Sequence, residues 1–369
     1  MDISAADKKK YARRLNTICP YFTMFPLAFP YQQLRRAKRS NWVLDPFCGR
    51  GTTNYAARLL NIPSIGVDSS PVAVAIAQSK FVQARPADIV RVAKVILSQN
   101  RDPEEVPNGA FWKRCYHSKT LAKLCILREE LIKTCESPAR IALRAILLGS
   151  LHGPRYNVPS YLSNQMPRTY ATKPRAALKF WKKKRLFPEP VDVLPIIARK
   201  ASYFFGHAPA AAGGKAIQAD SRQLGSLLKG YHFDWVITSP PYLGMRTYIP
   251  DQWVRNWFLG GPPIVDYRGE DQLGLEGKTN FTSALASVWR GIAPHCNDGA
   301  RLVIRFGALP SLKVDSRTIL CNSLKDSGSW RVLTIKNAGK ATKGNRQASQ
   351  FKAAGHPLNE IDLHAILEK

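Results

Sequence analysis

Asn41-Trp42-Val43-Leu44-Asp45-Pro46-Phe47-Cys48-Gly49-Arg50-Gly51-Thr52-Thr53 runs from a short apolar stretch into a turn with two glycines. Such a turn lets the backbone come close to a ligand. Residues from Thr53 to Asn61 have helical character, Ser64-Ile65-Gly66-Val67 reads as a second short strand, and Pro71 opens a further helix. Strand and helix alternating at this spacing predict a parallel sheet with a nucleotide-type ligand at the strand ends. The turn is neither a GxGxxG dinucleotide loop nor a P-loop, which would carry a lysine. Instead an acid closes the strand, where it can accept a hydrogen bond from an ammonium group.

Working outward, residues 101–208 show helical periodicity, with Leu121, Leu124, Cys125, Arg128 and Leu131 at helical spacings and a second pattern from Ile141 to Leu151. Pro154, Pro159, Pro167 and Pro174 exclude regular structure from the stretch they span. Ala210-Ala211-Ala212-Gly213-Gly214 reads as a hinge or linker. Beyond it α/β character returns. Asp234-Trp235-Val236-Ile237 is a strand running into Thr238-Ser239-Pro240-Pro241-Tyr242, Arg301 to Phe306 is another, and Ile361 to Ala365 a last one. Three blocks are expected: 1–100, an N-terminal segment and a first α/β half; 101–214, a helical insertion; and 215–369, a second α/β half with a basic tail.

Asp45-Pro46-Phe47-Cys48-Gly49-Arg50-Gly51-Thr52-Thr53 resembles motif I, DPFxGxGTT, of the S-adenosylmethionine-dependent DNA amino-methyltransferases. With seven positions specified, a chance match is about one in a billion per window at roughly 5% per residue. Ser239-Pro240-Pro241-Tyr242 is similar to the family's catalytic loop, (D/N/S)PP(Y/F/W). The resemblance covers about two-fifths of the chain. It implies an α/β fold, a Rossmann-like class I methyltransferase sheet with a helical and irregular target-recognition insertion. S-adenosyl-L-methionine is the implied cofactor, held by Phe25, Pro26, Asp45, Pro46, Phe47, Gly49, Gly51, Thr52, Thr53, Asp68 and Asp220. Within that set, Asp68 stands for the acid on the ribose hydroxyls and Asp220 for the acid at the adenine. Phe25 and Pro26 belong to a segment resembling the one that closes over the methionine end. Ser239, Pro240, Pro241 and Tyr242 are the implied catalytic residues. An exocyclic base amine is a poor nucleophile because its lone pair is delocalised into the ring. Acceptors at Ser239 and Pro240 can hold its N–H groups and favour a pyramidal nitrogen. Tyr242 offers a stacking face, and a base in duplex DNA must flip out to reach it.

The net charge is +29, from 55 Lys+Arg against 26 Asp+Glu. Such an excess favours a polyanionic partner. It is uneven: residues 151–185 hold nine Lys/Arg and no acid, and residues 327–359 hold six and no acid. Motif I precedes the catalytic loop, with the insertion between them, which resembles the α-type arrangement. Arg155, Asn164, Gln165, Arg168, Lys182, Lys183, Lys184, Arg185, Arg246 and Tyr248 are the expected nucleic-acid contacts. His152 fits either a base contact or a packed loop position. The expected partner is double-stranded DNA, with a cognate restriction endonuclease as an optional further one.

No window reaches the ~20 apolar residues of a membrane helix, and residues 1–14 lack a secretory h-region. Seven cysteines without a CxxC pair predict neither a disulfide framework nor a metal site. The expected location is cytoplasmic and nucleoid-associated, in a bacterium, archaeon or phage-infected host. Cys48, in the cofactor turn rather than the catalytic loop, is not expected to be a nucleophile. Ser before Pro-Pro favours cytosine N4 over adenine N6 within the family. The alternatives are an RNA methyltransferase acting on guanine N2, which usually carries a separate RNA-binding domain before motif I, and a catalytically silent binding module.

Overall fold

The computed structural model describes residues 13–21, 25–154, 156–167, 172–243, 251–266, 278–307, 315–340 and 359–369. The chain forms two compact units. The sheet unit comprises residues 22–81, 210–246 and 270–369, and the helical unit residues 1–21, 82–209 and 247–269.

In the sheet unit the strands are β1 (Val43–Asp45), β2 (Ser64–Asp68), β3 (Gly214–Gln218), β4 (Phe233–Thr238), β5 (Cys296–Gly307), β6 (Trp330–Lys340) and β7 (Asn359–Leu367). They form one seven-stranded sheet in the order β3-β2-β1-β4-β5-β7-β6. β1 to β5 pair in parallel, while β7 runs antiparallel to both β5 and β6. This is a Rossmann-like, doubly wound sheet with one antiparallel strand. From β1 the chain builds outward through β2 to β3, then returns to place β4 on the other side of β1. The reversal makes β1/β4 the topological switch point, where α/β sheets leave a ligand crevice at the carboxyl ends of their strands.

Helices α1 (Ala28–Leu34), α2 (Thr52–Leu59) and α3 (Pro71–Gln78) belong to this unit. Phe25, Phe29, Leu34, Ala56 and Ala57 pack with Val43, Trp235, Ile237 and Val303 to form its core on one side. A smaller cluster joins Cys48, Val74, Ala77 and Ala216. α3 begins where its sequence predicts: Pro71 occupies the first turn and Ser70 Oγ accepts from Ala73 N at 3.3 Å.

The helical unit contains α4 (Pro86–Leu97), α5 (Ala110–Cys115), α6 (Ser118–Lys133), α7 (Pro138–Leu148), α8 (Pro174–Lys183), α9 (Val193–Phe205) and α10 (Trp253–Phe258). The sheet unit adds α11 (Lys278–Ile292) and α12 (Ser316–Ser327). The units divide at 21/22, 81/82, 209/210, 246/247 and 269/270, so residues 82–100 group with the helices. The reason is α4, whose buried Ile89, Ala93 and Ile96 form an apolar stripe, and which packs on α7 and α9. Residues 210–214 are less a linker than the approach to β3, since Gly214 already pairs with Ser64.

Candidate active site

Because β1 to β4 are parallel neighbours, their carboxyl ends bring Asp45, Asp68, the residues after Gln218 and the start of the SPPY loop to one edge. Asp45 ends β1 fully enclosed. Thr238 Oγ1, the last residue of β4, donates to its Oδ1 at 2.6 Å, and Phe47 N donates to the same oxygen at 3.1 Å. Burial pushes the Asp45 carboxyl up to about 6 against the lowering effect of these hydrogen bonds. A carboxylate so enclosed gains from a cationic partner.

The turn after Asp45 is tied down by its neighbours. Cys48 N donates to Val67 O at 2.8 Å, and Gly49 N donates to Asp68 Oδ2 at 2.9 Å. Ser70 N donates to Asp68 Oδ1 at 2.9 Å, so one carboxylate oxygen braces the turn and the other the start of α3. Burial raises the Asp68 carboxyl above its ordinary value, opposed by these two amides. Gly49 has φ +50°, and a Cβ there would meet nothing within 4 Å. The open space above this backbone suits a ligand. Gly51, at φ +77°, is tight instead: a Cβ would lie 3.1 Å from that of Ala77 in α3. The first glycine therefore faces space and the second permits helix packing.

Asp220, just beyond β3, is partly exposed and paired with Arg222. That hydrogen bond holds its carboxyl below the ordinary value. The adjacent Ser221 hydroxyl donates to Pro46 O, joining this segment to the turn. Among the described residues Thr52 Oγ1 is buried without a hydrogen-bond partner, whereas Thr53 Oγ1 donates to Ile237 O at 3.2 Å and ties α2 to β4. Phe25 lies in the core against Phe29, and Pro26 is exposed. Phe47 meets Trp289 edge-on at 6.3 Å. Cys48 is buried, and burial together with Asp68 and Asp45 pushes its thiol well above the ordinary value, the opposite of an activated nucleophile.

In the SPPY loop, Ser239 Oγ is buried and has no hydrogen-bond partner among the described residues. Pro240 is buried and Pro241 half-buried. Tyr242 departs from expectation. Its ring is fully buried and meets Phe306 edge-on at 5.6 Å, and its hydroxyl donates to Glu360 Oε1 at 2.6 Å. The ring is part of the packed interior and not an open stacking face.

Residues 2–79 match the family model described as DNA methylase, of the N6/N4 type. The matched stretch holds Asp45–Thr53 and Asp68, and it ends before the SPPY loop. That family uses S-adenosylmethionine, in agreement with the motifs. No curated protein sequence matches the chain. Among solved structures, the rRNA methyltransferase AviRa from Streptomyces viridochromogenes is similar at 14% identity, with 98% of this chain and 94% of that one covered and a TM-score of 0.39. TehB from Haemophilus influenzae gives 9% identity, 94% and 64% coverage, and a TM-score of 0.37. TrmN from Thermus thermophilus gives 11%, 96% and 53%, and 0.38, so the chain spans about half of that structure's length.

The expected nucleic-acid contacts divide. Lys182, Lys183, Lys184 and Arg185 stand exposed at the end of α8. Asn164 does not: it is buried, its Nδ2 donates to Arg114 O at 3.1 Å, and its Oδ1 accepts from Gln165 N at 2.8 Å. Both ends of its amide are taken up in pinning the loop. Gln165 is half-buried, and its carbonyl accepts from the Trp181 indole. His152 takes the packed position, bonded to Thr172 at 3.1 Å and kept neutral by burial. Arg155, Arg168, Arg246 and Tyr248 lie outside the described residues. Among the described residues no cluster suits a metal ion, and no helix is long and apolar enough to cross a membrane.

Sequence reasoning misses Thr238 and Glu360. Thr238 precedes a motif and looks like ordinary strand. Glu360 has a signal: with Asp362 it forms an alternating pair of acids in an apolar strand, directly after an acid-free stretch.

Proposed function

We propose that this protein transfers a methyl group from S-adenosyl-L-methionine to an exocyclic base amine in duplex DNA, with cytosine N4 preferred over adenine N6. The observation that carries the reading is the junction at the switch point. Thr238, immediately before the SPPY loop, is bonded to Asp45, at the head of the cofactor turn, so the two motifs meet through a 2.6 Å hydrogen bond.

The site's residues fit the cofactor. Asp45 would take its ammonium group, the open side of Gly49 would admit its backbone-facing part, and Asp68 and Asp220 would serve ribose and adenine. Bound there, it supplies an electrophilic methyl group on a sulfonium. The chain's own part is orientation. Ser239 Oγ and the Pro240 carbonyl accept the two amine N–H groups, which frees the nitrogen lone pair for in-line attack. The enclosed Ser239 hydroxyl, with no hydrogen-bond partner among the described residues, is available as an acceptor for the amine. Exposed lysines of α8 hold phosphates.

Purified protein with labelled cofactor should methylate duplex DNA, and mass spectrometry of the nucleosides should show N4-methylcytosine. N6-methyladenine would correct the base, while label in RNA alone would overturn the reading. Ser239→Ala should lower kcat about a hundredfold with cofactor affinity retained.

A further inference from the structure

Tyr242 and Glu360 are 118 residues apart in sequence and both fully buried, yet they share a 2.6 Å hydrogen bond. Glu360 sits in register opposite Gly307 of β5, a position without a side chain. Two residues along β7, on the same face of the strand, Asp362 makes a two-pronged pair with Arg305, both contacts at 2.7 Å. The Arg305 guanidinium lies 3.9 Å above the ring of Phe29 in α1. β7 thus presents two carboxylates to one side of the sheet. One holds the tyrosine of the catalytic loop, and the other holds the arginine that backs the core beneath Phe25 and Phe29. The family motif admits Phe or Trp where Tyr242 stands, so a contact made through the hydroxyl is a feature of this chain.

We infer that Glu360 is a positioning residue: it fixes the SPPY loop through the Tyr242 hydroxyl, and Tyr242 acts as the loop's anchor and not as the surface on which the target base stacks. A hydrogen bond to an enclosed carboxylate is stronger than one between neutral groups, so it favours the loop in this place. Ser239, three residues earlier, inherits its place from that anchor across two stiff prolines. Thr238, the strand residue that leads into the loop, is held by Asp45. The loop is therefore clamped at both ends, by the cofactor strand at one and by β7 at the other.

This inference rests on the methyltransferase reading, and Tyr242→Phe tests it most sharply. The substitution keeps the ring and the packing but removes the hydroxyl. If Tyr242 anchors through Glu360, kcat on duplex DNA should fall about ten- to a hundredfold while KM for the cofactor is unchanged. Glu360→Ala should match that loss, the double variant should be no worse than either single one, and Glu360→Gln, which still accepts a hydrogen bond, should restore most of it. Full kcat in Tyr242→Phe would overturn the inference, as would additive losses in the double variant.

Hydrogen–deuterium exchange provides a readout that needs no turnover. Amides of Thr238, Ser239, Tyr242 and Leu243 should exchange faster in Tyr242→Phe and Glu360→Ala, and at the wild-type rate in Glu360→Gln. Unchanged exchange in all three would refute the anchor even in an active enzyme. If the wild-type protein methylates no base, the functional reading fails and exchange alone decides the anchor.

Discussion

The motif I segment of the sheet unit and the basic stretch of the helical unit treat charge in opposite ways. Along residues 44–79 of the sheet unit, Asp45 and Asp68 offset Arg50 and Arg58, so the segment sums to zero. Asp45 is enclosed and Asp68 half-buried, with their oxygens held by backbone amides or Thr238. In the helical unit, residues 151–185 carry nine Lys/Arg and no acid, and the last four stand in solvent. Enclosed charge is unfavourable unless paired and is held rigidly, which suits recognising one small cation in one geometry. Exposed positive charge is easily accommodated and tolerant of position, which suits a polyanion of variable sequence. Salt should therefore act on the substrate, and pH on the cofactor.

The largest effect expected from this contrast is at the end of α8. Replacing Lys182, Lys183, Lys184 and Arg185 together by alanine should weaken duplex binding roughly a thousandfold at 0.1 M salt if each meets a phosphate. The slope of log affinity against log salt should flatten by about 0.9 for every phosphate that is no longer neutralised. Cofactor affinity should not move. Titrating DNA binding at several salt concentrations checks the first part and calorimetry the second; an unchanged slope would place the grip elsewhere in the chain.

A smaller effect is expected at Asp45. Its carboxyl is pushed up to about 6, so it is ionised above that pH and protonated below it. An ammonium group needs the ionised form. Cofactor affinity should then be flat above pH 6 and fall by about tenfold per pH unit below it. Without cofactor the sign reverses. The folded state holds its proton more tightly than the unfolded one, so Asp45 favours folding at low pH, and this contribution is lost as pH rises from the ordinary value of 3.8 through about 6. Asp45→Asn should flatten both curves. A slope below pH 6 that survives in this variant would assign the titration to another group.

What can be read from sequence follows burial. The interior strands β1, β2, β4 and β5 announce themselves as apolar runs because neighbours cover both their faces, and each lies within a few residues of its expected place. Edge strands give no such signal. β3 is largely exposed and begins at the last residue of the stretch read as a linker, while β6 carries Arg331, Thr334, Lys336 and Asn337 and reads as tail. The motif acids are legible because a spacing of seven defined residues is rare. Glu360 is not, since its partner lies 118 residues away and its role exists only through the pairing of β5 with β7.

The smallest effect separates grip from scaffold within the helical unit itself. Asn164, beside exposed loop residues, has the side chain of a base reader, but its amide bonds to Arg114 O and Gln165 N at 3.1 and 2.8 Å. Its own N–H donates to Cys115 O at 2.6 Å, so the loop is stitched to the end of α5 by both backbone and side chain. Asn164→Ala should cost about 1–3 kcal/mol of stability, because a buried carbonyl and an amide lose their partner. The set of DNA sequences methylated should stay the same. Thermal unfolding reports the first change, and sequencing of methylated sites reports the second. A variant that melts like the wild type but methylates a different set of sites would return Asn164 to the recognition surface.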